Sequence, residues 1–183
     1  MHRVPNAAMK QGRPIDLAAI ELLVLDVDGV LTDGGLIVHA DGSESKRFDT
    51  VDGHGIRLWQ RSGGKVALLS GRVCPCVAHR ARQLQIAHVL QDCHFKLPAL
   101  EGLLRELDLK AANAAYVGDD LMDLPPMQHV GFAVAVANAV EEVRARADYV
   151  TTRPGGRGAV REVIEHILKN SGRWGPLMTR YLA

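Results

Sequence analysis

Aromatic side chains are scarce in this 183-residue chain, 4% of the total, and neither sign of charge prevails. Lys and Arg number 22 against 21 Asp and Glu, a net charge of +1. Proteins that grip nucleic acid need a basic surface, and those that hold single strands stack bases on aromatic rings. The composition therefore speaks against nucleic acid or an anionic membrane as partner. Long apolar runs are also missing. The longest, 130–140, is interrupted by Gly131 and Asn138 and is too short to span a bilayer. Residues 1–16 contain no apolar stretch of signal-peptide length and read as a flexible leader on a cytoplasmic protein. Three cysteines, Cys74, Cys76 and Cys93, cannot all pair within one chain, which rules out a disulfide framework. Cys74 and Cys76 with Cys93 and His94 make a poor zinc set, because one intervening residue is short of structural-zinc spacing and Pro75 stiffens the pair.

What is present is an ordinary globular composition, 47% hydrophobic and 23% charged, in a length suited to one domain. The run ELLVLDV (21–27) is apolar throughout and ends in acids, the pattern of a parallel strand buried on both faces. Similar runs recur at 65–70, 87–91, 113–118, 131–136 and 147–151. Helical patterns lie between them at 52–61, 75–84, 97–107, 120–128, 140–146 and 159–169. Leu97, Leu100, Leu104 and Leu107 form one helical stripe. Strand alternating with helix predicts an α/β fold with a doubly wound parallel sheet. One segment departs from the alternation: 35–49 has two short β-like runs around Asp41-Gly42, a dipeptide suited to a tight hairpin turn. The expected organisation is a single domain over 17–170 carrying this hairpin, with a tail at 171–183.

Ligands of open α/β sheets bind beyond the carboxyl ends of the strands. The predicted ends carry Asp26-Val27-Asp28-Gly29, Ser70-Gly71-Arg72 and Gly118-Asp119-Asp120, and Lys96 follows the third strand across a short loop. Carboxylates, a hydroxyl and an ammonium on one rim suit a phosphoryl group. A carboxylate nucleophile divides one hard displacement into two easier ones. Clustered anions need a hard divalent cation with oxygen ligands, such as Mg²⁺. A second carboxylate can protonate the leaving oxygen and then activate water. A hydroxyl and an ammonium can hold the equatorial oxygens. Singly, Asp28-Gly29 would be a turn, Asp120 and Asp123 helix caps, Ser70 a turn residue and Lys96 a solvated lysine. Together on one rim they point to chemistry. The histidines share no spacing, and none, His54 included, is assigned a role.

These segments, D-x-D-G-V-L-T-D-G (26–34), L-S-G-R (69–72), Lys96 and V-G-D-D-x-x-D (117–123), resemble the four motifs of the haloacid dehalogenase superfamily, in order. The resemblance runs from about residue 22 to residue 168. It implies Asp26 as nucleophile and metal ligand, and Asp28 as acid/base with its backbone carbonyl on Mg²⁺. It also implies Asp119 as the third protein ligand, and Ser70 and Lys96 as phosphoryl-binding groups. Asp120 and Asp123 would orient ligands or metal-bound water. Between Gly29 and Asp52, and between Arg72 and Lys96, there is no room for a cap domain, so the resemblance is to the capless subgroup.

Within that subgroup the hairpin, V-D-G-H-G-I-R-L-W (51–59), K-L-P-A-L (96–100) and R-P-G-G-R-G-A-V-R-E (153–162) resemble the phosphatases of 3-deoxy-D-manno-octulosonate 8-phosphate. Those act in lipopolysaccharide synthesis. The resemblance implies a small sugar acid phosphate as substrate and a homotetramer whose hairpins shield the sites. Arg72 is the candidate for binding the substrate's carboxylate or phosphate. The 155–158 loop reads equally as a reach toward a neighbour or as a turn leading into a helix. Residues 91–95 lack the glycine expected there, and the tail 172–183 matches nothing. A nine-carbon sugar acid 9-phosphate is the rival substrate, and an assembly domain like the phosphatase-like tail of sialic acid cytidylyltransferases the non-catalytic rival. Receiver domains are set aside, because their acidic pair precedes a lone phosphoacceptor on a later strand.

Overall fold

The computed structural model describes residues 14–182. All six long apolar runs become strands of one parallel sheet, in the order β5-β4-β1-β6-β7-β8. These are β1 (Leu22–Leu25), β4 (Lys65–Leu69), β5 (His88–Leu90), β6 (Ala114–Gly118), β7 (Phe132–Ala135) and β8 (Tyr149–Val150). β1 lies in the middle, with Leu25 opposite Leu68 of β4 and Val117 of β6. The chain winds from β1 to one edge, crosses back over β1, and continues to the other edge. The topological switch therefore falls between β4 and β6, directly above β1. Leu22, Leu23, Val24 and Leu25 are wholly buried, as a central strand covered on both faces requires.

Helices flank the sheet: α1 (Thr50–Arg61), α2 (Pro75–Leu84), α3 (Lys96–Glu106), α4 (Leu124–His129), α5 (Glu141–Arg144) and α6 (Ala159–Asn170). The helix expected over 120–128 divides into a 3₁₀ turn, Leu121–Asp123, and then α4. Pro125 and Pro126 have no N–H to donate backwards, so they start a helix here and cannot continue one. In α3, Leu100, Leu103 and Leu104 are buried and Leu97 half-buried, as is Leu107 at the C-cap. Lys96 stands on the same face, which turns its side chain inward under the rim.

The hairpin forms between β2 (Ile37–Val38) and β3 (Glu44–Ser45). His39 donates to Ser43 O at 2.8 Å around a three-residue turn in which Gly42 takes φ +83° and Asp41 accepts from the Ser43 amide. Residues 1–13 of the expected leader lie outside the described residues; Asp16 caps a short 3₁₀ turn at Leu17–Ala19. The tail forms a further helix, α7 (Trp174–Leu182), that packs on α6 and whose Tyr181 hydroxyl takes a hydrogen bond of 2.7 Å from Arg61. Among the described residues no helix is long and apolar enough to cross a membrane.

Candidate active site

Each strand beside the switch point ends in a polar group. Asp26 follows β1, Ser70 follows β4 and Asp119 follows β6, and all three line one cavity of about 360 Å³. Asp28, Gly71, Arg72, His94, Lys96, Asp120, Met122 and Asp123 complete its wall. Every candidate site residue taken from the sequence is thus gathered around one hollow. They differ in how they are held.

Asp26, Ser70 and Lys96 are buried, with 7%, 2% and 4% of their surface exposed. Lys96 Nζ lies 2.8 Å from Asp26 Oδ1 and 2.6 Å from Asp123 Oδ1, so one cation serves two carboxylates. Burial would push the Lys96 ammonium down, but Asp26 and Asp123 hold it above the usual lysine range. Burial raises the Asp26 carboxyl to about 6, with repulsion from Asp123 adding to the rise and Lys96 opposing it. Asp119 is pushed to about 8, first by burial and then by the charges of Asp26 and Asp123.

The loop after β1 approaches Asp119 closely. Gly29 takes φ +93°, and a Cβ there would sit 1.9 Å from Asp119 Oδ2. Only glycine satisfies both demands. Thr32, fully buried, accepts from the Gly29 and Gly34 amides and donates to Val27 O, which closes the loop on itself. Gly156 donates to Val30 O at 2.8 Å, and a Cβ on Gly155 would stand 1.7 Å from Gly29 O. Gly155 and Gly156 therefore pack on this chain's own loop after β1, and the segment leads into α6.

Asp123 is fully buried and its carboxylate is saturated. Oδ2 accepts from the Asp119 and Asp120 amides at 2.9 and 3.2 Å; Oδ1 accepts from Lys96 and from the Tyr116 hydroxyl, the latter at 2.7 Å. Asp120 is exposed and caps the 3₁₀ turn through the Leu121 amide. Arg72 pairs with Glu44 of the hairpin at 2.5 Å, and Lys46 of the hairpin forms an ion pair with Asp28. The hairpin thus folds its polar arm onto the rim while Leu36, Ile37 and Val38 remain exposed. Tyr116, Thr32 and Lys46 were not legible as site residues. Tyr116 reads as an ordinary strand residue, Thr32 stands within the 26–34 motif without a role of its own, and nothing local marks Lys46.

The carboxylates suit a hard cation. Oxygens of Asp26, Asp119 and Asp123 lie within 4.8 Å of one another, and Asp119 Oδ1 is the buried side-chain oxygen without a partner among the described residues. Since Asp123 is fully engaged, Asp26 and Asp119 are left with free lone pairs. A buried oxygen without a donor, beside a second acid, is the arrangement a divalent ion would complete. The cysteines, by contrast, are free thiols: Cys76 donates to Glu44 O, and no Cys or His joins a metal-holding group among the described residues.

Fold and site together define a phosphohydrolase that works through an aspartate cluster, with no cap domain among the described residues. A family model for haloacid dehalogenase-like hydrolases matches residues 79–164. The 3-deoxy-D-manno-octulosonate 8-phosphate phosphatase of Escherichia coli is 47% identical over 154 residues, 84% of this chain and 82% of that protein. The enzyme of the same description from Moraxella catarrhalis, solved with magnesium, phosphate and the sugar acid KDO, superposes with a TM-score of 0.88 at 41% identity, covering 90% of this chain and 95% of that one. A cobalt-bound relative from Haemophilus influenzae gives 0.83 at 38% identity, covering 85% and 91%. The chain belongs to the haloacid dehalogenase superfamily and, within it, to the family of 3-deoxy-D-manno-octulosonate 8-phosphate phosphatases.

Proposed function

We propose that the protein hydrolyses 3-deoxy-D-manno-octulosonate 8-phosphate to the free sugar acid and phosphate, with Mg²⁺ at the rim, as a cytoplasmic step of lipopolysaccharide synthesis. The observation that carries this reading is Asp26 at the switch point, bonded to Lys96 and facing the unpartnered oxygen of Asp119. Asp26 and Asp119, with the backbone carbonyl of Asp28, would hold the cation, which neutralises the anions as they approach and polarises the phosphoryl oxygens. Asp26 attacks phosphorus as the bond to the sugar oxygen breaks, leaving an aspartyl-phosphate. Asp28 gives its proton to the departing sugar oxygen, then takes one from the water that attacks phosphorus and frees Asp26. Ser70 and Lys96 hold the equatorial oxygens as charge spreads over them. Asp123 fixes Lys96, and Asp120 holds the turn that presents Asp119.

Arg72 is the guanidinium on the wall and takes the sugar's carboxylate, exchanging Glu44 for it. The exposed Leu36, Ile37 and Val38 favour a homotetramer in which hairpins cover one another and wall the sites, since an isolated hairpin with an apolar arm is marginal in water. Sizing of the intact chain checks this, and a monomer overturns it. The substrate is tested by comparing kcat/KM for the eight-carbon 8-phosphate, the nine-carbon 2-keto-3-deoxy acid 9-phosphate and simple hexose phosphates. We expect at least tenfold preference for the first. Equal rates on all three would leave a general phosphatase.

A further inference from the structure

Tyr116 occupies the middle of β6, paired with Val24 of β1 and Ala133 of β7, and is fully buried. A phenylalanine would fill the same volume, so the hydroxyl needs a reason to be there. A buried hydroxyl without a partner is costly, and this one has a partner of consequence. It donates to Asp123 Oδ1 at 2.7 Å, the same oxygen that Lys96 Nζ approaches at 2.6 Å. Burial, and then the charges of Asp123 and Asp26, hold the phenol well above its ordinary range, so it keeps its proton and donates.

We propose that Tyr116 is a positioning residue for phosphoryl transfer, acting through Asp123 to keep Lys96 shared with Asp26; this rests on the phosphatase reading above. Lys96 stands between two buried carboxylates and carries one charge. Asp123 can leave it available to Asp26 and to the phosphoryl oxygens because three other donors help satisfy Asp123: the Tyr116 hydroxyl and the Asp119 and Asp120 amides. Without the hydroxyl, Oδ1 has Lys96 as its sole donor, and the ammonium is drawn toward Asp123, away from the reacting atoms. Tyr116 does not reach the cavity wall, so it touches neither substrate nor metal.

The test is Tyr116→Phe in the full-length, Mg²⁺-loaded protein, assayed with p-nitrophenyl phosphate so that sugar recognition plays no part. We expect kcat to fall about ten- to a hundredfold, the scale of one hydrogen bond to a charged group, with KM changed by less than about threefold. Orthovanadate, which mimics the five-coordinate phosphorus, should inhibit Tyr116→Phe more weakly by a similar factor. In an Asp123→Asn background Tyr116→Phe should cost little more, because the two act in series. Unchanged kcat and vanadate affinity in a folded Tyr116→Phe protein would overturn the proposal, as would fully additive losses in the double variant. Should Asp123→Asn fail to fold, the vanadate comparison decides alone. If the wild type does not hydrolyse p-nitrophenyl phosphate, the same comparison is made with the eight-carbon 8-phosphate; if it hydrolyses neither with Mg²⁺, the phosphatase reading is what has failed.

Discussion

Two aspartates, half-buried Asp119 and buried Asp52, show what separates the rim from the scaffold. Asp52, in α1, is 1% exposed, and both of its oxygens are matched: Oδ2 by the Gly158 amide at 3.1 Å and Oδ1 by the Arg161 amide at 2.8 Å. It closes the start of α6, where a negative charge is favoured by the helix dipole. Burial still raises its carboxyl above the ordinary range, though the Arg161 and Gly158 amides oppose the rise. Asp119, at the end of β6, has a buried oxygen with no donor and two acids beside it, and its carboxyl is driven to about 8. A buried carboxylate oxygen that the chain satisfies is architecture. One that it leaves unsatisfied marks a place for something from outside.

Substitution should break this contrast in opposite directions. Asp119→Ala should lower Mg²⁺-dependent turnover by about a thousandfold or more, because the proposed metal ligand is gone. Its melting temperature without metal should stay at or above that of the wild type, since a buried carboxylate oxygen without a donor is removed. Melting curves should also show the usual gain on adding Mg²⁺ in the wild type and little in Asp119→Ala. A normal gain in the variant would remove Asp119 from the metal site.

Asp52→Ala should do the reverse. Loss of two hydrogen bonds to a charged group, with the amides left bare, should cost about 3 kcal/mol in urea denaturation. The kcat of the molecules that remain folded should stay within about threefold of the wild type, a difference of under 1 kcal/mol. A large loss of kcat without loss of stability would place Asp52 in the chemistry.

The smallest effect belongs to Glu162, a half-buried scaffold acid of α6. Burial pushes its carboxyl up, but donors from the Thr152 amide, the Tyr149 and Thr152 hydroxyls and the Arg153 amide outweigh it, and the net shift is downward. A folded-state value below the unfolded 4.5 means its stabilisation is complete above 4.5 and is lost as pH falls through the folded value. Wild type should therefore exceed Glu162→Gln by no more than about 1 kcal/mol near neutrality, and the gap should close in acid. A gap independent of pH would mean that packing, not charge, accounts for it.

The fold was readable to a considerable depth. Continuous apolar runs such as 21–27 and 65–70 announce buried parallel strands because every residue of a doubly covered strand must be apolar. What pattern could not supply was the break at Pro125-Pro126, which turned one expected helix into two pieces, and the tail helix α7, whose Trp174 and Leu177 are held by the core. Short helices owe their stability to what they pack against, which periodicity does not record.

By itself the sequence determined which residues end the strands: Asp26, Ser70 and Asp119 each stand just past an apolar run, and a parallel sheet must bring such ends to one side. Only the tertiary structure decided how they are equipped. Asp52 meets amides more than a hundred residues away, Lys46 crosses from the hairpin to Asp28, and Tyr116 and Lys96 converge on Asp123 from different elements. Periodicity along a chain reports burial, a property of each residue and its near neighbours. Hydrogen bonds between distant segments depend on where the crossovers set them down, and that is settled only when the sheet has closed its order around β1.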